Sequence, residues 1–388
     1  MAYIRSNVLG WGIPSNKLHS RNADGTYKML TMDIDFGIKC SLHCPHCFKK
    51  QFNSFKKSNK ILTFEEIKDI ILQSKELGLE SVKFLGAGEP FENEQMLPML
   101  RFLSENNIQS CIFTKGYVLG NDEFVRKYNE KHGFVTAKSF VEELCQLKTS
   151  IMLGYNSFNK EIQLKYSGLT LETDFGLFEY REKALKLLID AGFNKVIEGQ
   201  PTRLALVASP YKMINIEEIF DIYKWGHERN MYVAICPSTN SGMGHQELQG
   251  AKGNELLFME KSIDLYTRIY VWAIENGIIT IDEFKEDGVG LYPGGHPCNQ
   301  MAAGLYVTID GTVMVCPGLD GQDVVVCDDV RKKPMREIWI NSKNYKLYAS
   351  KEDTFNFGCV AREKYLFNKE NFYNKVYKKV LTRLSCSW

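Results

Sequence analysis

The sequence carries almost no excess of charge of either sign. Its 48 Lys and Arg residues balance 47 Asp and Glu residues, which leaves a formal net charge of +1. This balance disfavours nucleic acid and acidic membrane surfaces as partners, because both attract an excess of basic side chains. Peptides and small molecules are therefore the favoured classes of partner.

Long apolar runs are also missing. No stretch of 18 apolar residues is present, and residues 1–10 lack the basic and apolar segments of a secretory signal. These absences argue against a membrane-spanning segment and against export. We therefore expect a cytoplasmic protein with no membrane partner.

The sequence is instead rich in apolar residues and in cysteine. Hydrophobic residues make up 44% of its 388 residues, enough to bury the core of one large domain and a smaller one. The 11 cysteines are not expected to form disulfides, because the cytosol keeps thiols reduced. Metal binding and catalysis are the leading explanations for them.

Residues 31–236 alternate short β-branched runs with longer amphipathic stretches. This alternation is typical of repeated βα units around a parallel sheet. It predicts an α/β fold with a partial (β/α)6 TIM-like barrel. The predicted strands are Thr31–Phe36, Ser81–Phe84, Ser110–Phe113, Ser150–Leu153, Arg203–Val207 and Tyr232–Cys236. The predicted helices are Thr63–Glu76, Glu94–Glu105, Phe140–Leu147, Phe178–Ala191, Ile216–Arg229 and Leu256–Asn276.

The C-terminal part has a different pattern. A glycine-rich stretch at 288–295 suits a domain junction, and two alternating runs then flank Asp310-Gly311, a strong hairpin signal. We predict hairpin strands at Gly304–Ile309 and Thr312–Cys316 and a closing helix at Tyr365–Leu384. The predicted division is an N-terminal extension at 1–30, the barrel at 31–240, a linker with a helix at 241–287, and a small β-hairpin plus helix domain at 288–388.

Three cysteines stand close together directly after the first predicted strand. Cys40, Cys44 and Cys47 can bind three irons of a cubane and leave the fourth iron without a protein ligand. The alternative is a zinc site completed by His43 or His46. The position of the thiols after a first strand favours the iron-sulfur interpretation.

This C-x3-C-x2-C spacing resembles the radical S-adenosylmethionine (SAM) superfamily, and the resemblance covers residues 31–237. It implies an enzyme in which Cys40, Cys44 and Cys47 hold a 4Fe-4S cluster and SAM binds at the open iron. It also implies reductive cleavage of SAM to a 5'-deoxyadenosyl radical. In that family an aromatic residue before the third cysteine packs near the adenine, and His46 stands at this position.

A second motif supports the same resemblance. The run Gly86-Ala87-Gly88-Glu89-Pro90 follows the second predicted strand and is similar to the Gly-Gly-Glu-Pro motif that contacts the amino group of SAM. Glycines let a backbone approach a ligand closely, and a carboxylate pairs with an ammonium group. Gly86, Gly88 and Glu89 are therefore candidate SAM-binding residues, although Ala87 replaces the first glycine.

The resemblance implies three more SAM-binding residues. Asn156 and Ser157 follow the fourth predicted strand, at positions similar to those that contact the ribose hydroxyls in related enzymes. Arg203 opens the fifth strand, at a position similar to one that binds the SAM carboxylate. Their side chains suit a hydroxyl partner and an anion clamp. The alternatives are an ordinary loop turn and a surface salt bridge.

A second group of cysteines surrounds the predicted hairpin. A hairpin brings its two ends together, so Cys298 and Cys316 would hold one cluster from two sides. This arrangement resembles the SPASM or twitch extension of radical SAM enzymes. The resemblance implies one auxiliary Fe-S cluster, of the 4Fe-4S type, bound by Cys298, Cys316, Cys359 and Cys327, with Cys386 as a substitute for Cys327. The alternatives are a zinc knuckle or buried free thiols.

Cys236 is the candidate catalytic residue outside these clusters. It ends the sixth predicted strand, at the edge where barrel active sites form. A thiol at this edge could return a hydrogen atom to a substrate radical. The alternative is that Cys236 is a small buried apolar residue.

The resemblance leaves the substrate open. Enzymes with this tail largely modify peptides or proteins by oxidation, crosslinking or epimerisation, and we favour this class. The alternatives are a sugar or aminocyclitol dehydrogenase or epimerase, and a non-catalytic Fe-S or zinc-binding protein. An enzyme of this family also needs a reductant such as flavodoxin or ferredoxin.

Overall fold

A single sheet organises the fold, seen here in a computed structural model that describes residues 2–49, 61–210, 214–237, 255–319, 326–349 and 369–386. Its strands are β1 (Thr31–Ile34), β2 (Ser81–Phe84), β3 (Gln109–Thr114), β4 (Ser150–Gly154), β5 (Leu204–Ala208), β6 (Tyr232–Ile235), β7 (Gly304–Val307), β8 (Thr312–Met314) and β9 (Val326–Asp329). Within these ranges the strand order is β6-β5-β4-β3-β2-β1-β7-β8-β9. Strands β1 to β6 pair in parallel, which confirms the predicted α/β partial barrel.

Helices connect the parallel strands and cover the outside of the barrel. Those of the described ranges are α1 (Ala2–Arg5), α2 (Phe64–Glu76), α3 (Met96–Glu105), α4 (Asp122–Asn129), α5 (Ala137–Gln146), α6 (Lys160–Tyr166), α7 (Leu177–Asp190), α8 (Ile216–His227), α9 (Glu255–Glu275), α10 (Ile281–Asp287), α11 (Gln300–Ala303), α12 (Met335–Asn341), α13 (Lys343–Ala349) and α14 (Asn374–Ser385). None of them combines the length and the apolar character needed to cross a bilayer.

The predicted helix starts and ends agree with the structure to within a few residues. Thr63 caps α2 in a capping box: its side chain accepts a hydrogen bond from Glu66 N, and the Glu66 side chain accepts one from Thr63 N. Sequence reasoning missed α4, α6 and α10, which have 8, 7 and 7 residues. Two turns are too few for a helical period to stand out.

Successive side chains along a strand point into two different environments. Met32 and Ile34 on β1 point outward into the large core beneath the helices, whereas Asp33 between them points into the barrel, where its carboxylate lies 3.0 Å from Lys83 Nζ on β2. A smaller apolar cluster that includes Met152 lines the inside of the barrel. The alternation therefore separates an apolar outer layer from an inner layer that mixes apolar and charged side chains.

The C-terminal hairpin joins the barrel sheet. Strand β7 pairs in parallel with β1, with Leu305 opposite Met32, and β8 pairs antiparallel with β7 through Met314 opposite Tyr306. The turn between them places Gly311 at φ +90°, a conformation that favours glycine. The hairpin is confirmed, and it extends the sheet of the barrel instead of forming a sheet of its own.

The N-terminal segment covers the amino end of the barrel. Leu9 N donates a hydrogen bond to Thr202 O, 2.9 Å away at the start of β5, and His296 N donates to Ser6 O at 2.7 Å. Trp11 follows in the same segment and lies inside the barrel mouth, next to Tyr292. The residues before the first strand thus close one end of the barrel.

The end of the chain packs back onto the barrel. Val376, Val380 and Leu384 form the buried face of α14, which lies against α9. The start of the helix predicted at Tyr365–Leu384 lies outside the described residues. Trp339 on α12 is fully buried, and its Nε1 donates to Tyr27 O at 2.9 Å. Helix α12 is thus a packing element.

Candidate active site

A cavity of about 500 Å³ opens at the carboxyl ends of the barrel strands. In a parallel barrel this end gathers the loops that follow the strands, so residues distant in sequence meet there. Both groups of predicted cysteine ligands reach this cavity, which is lined by Cys40, Cys44, Cys47, Cys298 and Cys316.

Hydrogen bonds hold the loop that carries the first three cysteines. Ser41 N donates to Glu92 Oε1 at 2.9 Å, and Tyr117 Oη donates to the same oxygen. On the other side of the loop, His43 N donates to Ser167 O at 3.2 Å. The buried Glu92 carboxylate and the end of α6 therefore fix the loop from two directions.

The glycine motif packs directly against this loop. Glu89 N donates a hydrogen bond to Lys39 O at 2.8 Å, and a Cβ atom on Gly88 would lie 2.2 Å from the same oxygen. Gly86 has φ +127°, which side chains rarely adopt. The two glycines thus allow Glu89 to lie beside the backbone that leads into the cysteine loop.

Glu89 is a buried carboxylate that lines the cavity. Its Oε1 accepts a hydrogen bond from Thr114 Oγ1 at 2.5 Å, and its Oε2 accepts one from Lys115 N at 2.9 Å. Burial nevertheless raises the pKa of Glu89 to about 7. An ammonium group in the cavity would favour the ionised carboxylate, because a nearby opposite charge lowers the pKa of an acid.

The surroundings of Cys40 fit a positively charged ligand. The Cys40 side chain is exposed at the cavity, yet desolvation by the surrounding loop and the negative charge of Glu89 raise the pKa of its thiol. A thiol in such surroundings ionises only when a cation compensates its charge, as metal binding does. Three soft sulfur donors beside an acidic side chain therefore suit an iron-sulfur cluster and the cationic SAM.

Among the described residues, no three His, Cys, Asp or Glu side chains lie close enough together to hold a metal ion. The cysteines of a cubane bind different irons and need not converge on one point. Cys40, Cys44 and Cys47 thus fit a cluster by residue type and by the cavity that they share.

His46 also lines the cavity. Its ring meets the ring of Tyr166 edge to face, with 5.3 Å between the centroids. Burial and the nearby Lys115 cation lower the pKa of His46 to about 3, so the imidazole is neutral. A neutral flat ring at this position suits packing against an adenine.

The structure separates the two residues predicted to contact the ribose. Asn156 lines the cavity, and its Oδ1 accepts a hydrogen bond from Ser209 N at 2.9 Å. Ser157 is fully buried, and its Oγ donates to Glu218 Oε2 at 2.6 Å. Of the two, Asn156 reaches the cavity, whereas the hydroxyl of Ser157 is used to bind helix α8.

Arg203 lies at the opposite end of the barrel from the cavity. It precedes β5, and its guanidinium donates to Cys145 O at 3.0 Å and lies 5.0 Å from the centroid of the Phe193 ring. A residue that opens a parallel strand is at the amino end, whereas the cavity is at the carboxyl end. Arg203 therefore does not lie where a clamp on the SAM carboxylate is needed.

Some of the predicted ligands of the auxiliary cluster line the cavity and others do not. Cys298 and Cys316 line the cavity. Cys327 lies on β9 and is not among the lining residues, and burial raises its pKa. Cys386 is exposed at the end of α14, and Cys359 lies outside the described residues. Of the three predicted ligands that lie in the described ranges, the structure thus brings Cys298 and Cys316 to the same cavity.

Cys236 lies where the sequence predicts it. Its backbone N donates to Ala208 O at 3.0 Å, which continues the pairing of β6 with β5, and its side chain lines the cavity. The thiol is therefore open to a molecule bound in the cavity.

Two buried ion pairs of the site escaped sequence reasoning. Lys83 Nζ lies 3.0 Å from Asp33 Oδ1 and donates to Gln300 Oε1 at 2.7 Å. Lys49 Nζ lies 3.1 Å from Asp35 Oδ2. All four charged side chains are buried. The signal that could have found them is the placement of charged residues at every second position of a buried strand, which puts them on the inner face.

Comparison with known families finds matches for two segments of the chain. A model of the radical SAM superfamily matches residues 34–202, and a model of the SPASM iron-sulfur cluster-binding domain matches residues 298–362. Together these two matches cover more than half of the chain.

Two characterised relatives match part of the chain. A GTP 3',8-cyclase of Clostridium perfringens is 28% identical over 90 residues, which are 23% of this chain and 28% of that protein. A GTP 3',8-cyclase of Sulfurimonas denitrificans is 21% identical over 223 residues, which are 57% of this chain and 59% of that protein. The chain thus spans less than two thirds of either relative.

A solved structure shares the fold. The structure of anSMEcpe with bound S-adenosylmethionine and Kp18Cys peptide superposes with a TM-score of 0.59, at 16% identity, over 92% of this chain and 98% of that one. Fold and family matches agree with the cavity described above. Residues 34–202 therefore belong to the radical SAM superfamily, whose members bind SAM at a 4Fe-4S cluster, and residues 298–362 form a SPASM iron-sulfur cluster-binding domain.

Proposed function

We propose that this enzyme modifies a peptide by removing a hydrogen atom from one of its carbons. The observation that carries the proposal is that Cys40, Cys44, Cys47 and Glu89 line one cavity together with Cys298. A cluster site, a carboxylate for the SAM amino group and an auxiliary site would thus surround the same bound substrate.

The chemistry that the bound cofactors supply is reductive cleavage of SAM to a 5'-deoxyadenosyl radical, which removes the hydrogen atom. The protein's own residues orient and enclose the reactants. Glu89 binds the ammonium group of SAM, Asn156 offers a polar contact to the ribose, and His46 packs against the adenine. Trp11 and Tyr292 close the inner end of the cavity, so the substrate reacts away from bulk water.

The proposed substrate class rests on two observations. The cavity of about 500 Å³ has room for an amino-acid side chain in addition to SAM. A chain with the same fold, anSMEcpe, has been solved with a bound peptide. A reductant such as flavodoxin or ferredoxin is the proposed source of electrons.

The segment boundaries remain part of this proposal. We assign the SAM-binding barrel to residues 31–240 and the auxiliary-cluster domain to 288–388, with the extension at 1–30 and the linker at 241–287. Cys298, Cys316 and Cys359 are proposed as auxiliary ligands. Cys327 or Cys386 would complete the set.

Cys236 is proposed as a hydrogen-atom donor in an epimerisation. Its S–H bond would break as a new C–H bond forms on the substrate radical. The sulfur radical would then take one electron from the external reductant and a proton from solvent. In D2O the product made by the wild type should carry deuterium at that carbon. A Cys236→Ala variant that forms the same deuterated product would rule out the thiol as donor.

Release of 5'-deoxyadenosine tests the proposed reaction. Anaerobically reconstituted protein with dithionite and SAM should release this nucleoside, and Cys44→Ala should abolish it together with the absorbance of the first cluster. Cys145→Ala is the matched control, because Cys145 lies outside the cavity and contacts Arg203. Wild-type protein with its iron and sulfide restored that releases no 5'-deoxyadenosine would refute the proposal.

A further inference from the structure

A polar site on the wall of the cavity is formed by residues other than the predicted SAM ligands. Asp33 on β1 and Lys83 on β2 both line the cavity, and both are at least nine-tenths buried, with exposed fractions of 2% and 5%. Gln300 on α11 completes this group, which we call the inner polar site. Its three residues come from the first two strands and from the segment just after Cys298.

The hydrogen bonding of this site is incomplete. Asp33 Oδ1 lies 3.0 Å from Lys83 Nζ, yet among the described residues it accepts no hydrogen bond of good geometry. Lys83 donates one hydrogen bond to Gln300 Oε1, and its Nζ lies 5.2 Å from the centroid of the Trp11 ring. An ammonium group has three donors and a carboxylate can accept several hydrogen bonds, so both members of this buried pair keep hydrogen-bonding capacity that a ligand in the cavity can use.

The charges of the site restrict what that ligand can be. The pair is neutral as a whole, so a bound carboxylate would face Asp33 and a bound ammonium would face Lys83, each at close range. A neutral group that donates to Asp33 and accepts from Lys83 satisfies both partners. Hydroxyl and carboxamide groups have this combination of donor and acceptor.

Apolar side chains also lie near the pair. Trp11, Leu291 and Tyr292 line the same end of the cavity, and the indole and phenol rings meet edge to face at 6.1 Å. An apolar wall around one polar pair suits a short aliphatic chain that ends in a polar group. The side chains of Ser, Thr, Asn and Gln have this form.

We propose that Asp33 and Lys83 bind the substrate through a neutral hydroxyl or carboxamide group, most simply that of a peptide side chain. This inference rests on the proposed function, because it assigns part of the same cavity to the substrate. Gln300 is a positioning residue, since it fixes the ammonium group of Lys83. It also connects the inner polar site to the segment that carries Cys298.

Binding of small probes tests this site without turnover. The holoenzyme, saturated with S-adenosylhomocysteine so that no cleavage occurs, is dialysed to equilibrium against the N-acetyl N-methylamides of Ser, Asn, Ala, Asp and Lys. We expect the Ser or Asn probe to bind about tenfold more tightly than the other three, as one to two added hydrogen bonds would give. Binding of inositol is measured separately, to show whether the site takes the hydroxyl groups of a polyol instead of those of a peptide side chain.

The double variant Asp33→Leu/Lys83→Met removes both polar groups and leaves no unpaired buried charge. It should bind the Ser, Asn and Ala probes within about twofold of one another, because the hydrogen bonds account for the preference. The control Arg101→Met/Glu143→Gln removes an ion pair of 2.7 Å outside the cavity and should keep the preference. Iron content and melting temperature verify that each variant is folded.

Two results would overturn the inference: equal binding of all probes and inositol by the wild type, or an undiminished preference in the folded Asp33→Leu/Lys83→Met variant. The wild-type comparison needs no variant, so it decides the matter even if the double variant does not fold. Failure of the proposed function has a different signature, namely no 5'-deoxyadenosine from wild-type protein with dithionite and SAM. A wild type that releases the nucleoside but binds all probes equally contradicts the inner polar site alone.

Discussion

Replacing Gly88 by alanine should disturb the cysteine loop through a purely steric effect. The added Cβ would lie 2.2 Å from Lys39 O and 2.8 Å from Ile38 C, both backbone atoms, whereas ordinary contacts begin at 3.4 Å. The two backbone segments, at Ile38–Lys39 and at Gly88, must therefore separate by about 1 Å, which lengthens the hydrogen bond from Glu89 N to Lys39 O.

The size of this effect follows from the contacts that are lost. Overpacking of a dense region costs about 1–3 kcal/mol, and a lost hydrogen bond costs about 0.5–1.5 kcal/mol, so we expect a loss of about 2–4 kcal/mol. With an unfolding entropy of roughly 2 cal/mol/K per residue, the 388 residues would show a fall in Tm of about 3–5 °C. Because the loop carries Cys40, the iron content after reconstitution should fall as well.

Thermal unfolding and iron analysis check this prediction. Gly290→Ala is the matched control, because the nearest atom to its added Cβ is Tyr270 Oη at 3.9 Å. That variant should keep the iron content and the Tm of the wild type. A Gly88→Ala protein with full iron content and a Tm within about one degree of the wild type would refute the steric reasoning.

Three further perturbations test other parts of the site and fold. Glu89→Gln should weaken SAM binding by about 10- to 150-fold, since a hydrogen bond to a charged group contributes about 1.5–3 kcal/mol; a Kd within about twofold of the wild type by equilibrium dialysis would contradict this role. Arg203→Met should lower Tm, because its hydrogen bond to Cys145 O is lost, but should leave 5'-deoxyadenosine release unchanged. A loss of SAM affinity in this variant would instead support the role of Arg203 in binding the SAM carboxylate. Burial and the nearby Arg5 lower the pKa of His227 from 6.5 to about 3. The folded protein therefore binds this proton less readily than the unfolded chain. The contribution of His227 to the free energy of unfolding is full well above pH 6.5 and falls as the pH drops towards 3. At pH 5 the loss is about 2 kcal/mol. His227→Phe should flatten the fall of Tm between pH 7 and pH 5, and an unchanged pH profile of Tm would exclude His227 as its cause.

The sequence predicted the barrel well because its signals are local. Met32 and Ile34 alternate with polar residues along β1, and the capping box at Thr63 marks the start of α2. The three thiols of the first cluster share one loop, so their spacing alone places them near one another. Gly88 is an exception, because its close contact with the Lys39 backbone joins residues that lie 49 positions apart in the sequence.

 The motif predicts a glycine that lets the backbone approach a ligand, whereas the structure shows a close contact of Gly88 with the backbone of Lys39, the residue directly before Cys40.

Other features depended on how distant segments meet. Nothing local indicates that β7 pairs with β1, or that the segment around Trp11 closes the amino end of the barrel. Arg203 has the residue type of an anion clamp, but its place before β5 puts it at the wrong end of the barrel. Residue type predicts what a side chain can bind, whereas the end of the strand decides what it can reach.

The sequence by itself determined the βα order, the cysteine loop and the Gly88-Glu89 motif, because each depends on spacing within a short segment. Only the tertiary structure decided which of these residues share a cavity, and it alone revealed the pairing of Asp33 with Lys83. The physical reason is that side-chain period fixes the face on which a residue lies. Its neighbours across the barrel are fixed only when the strands pair and the loops close over them.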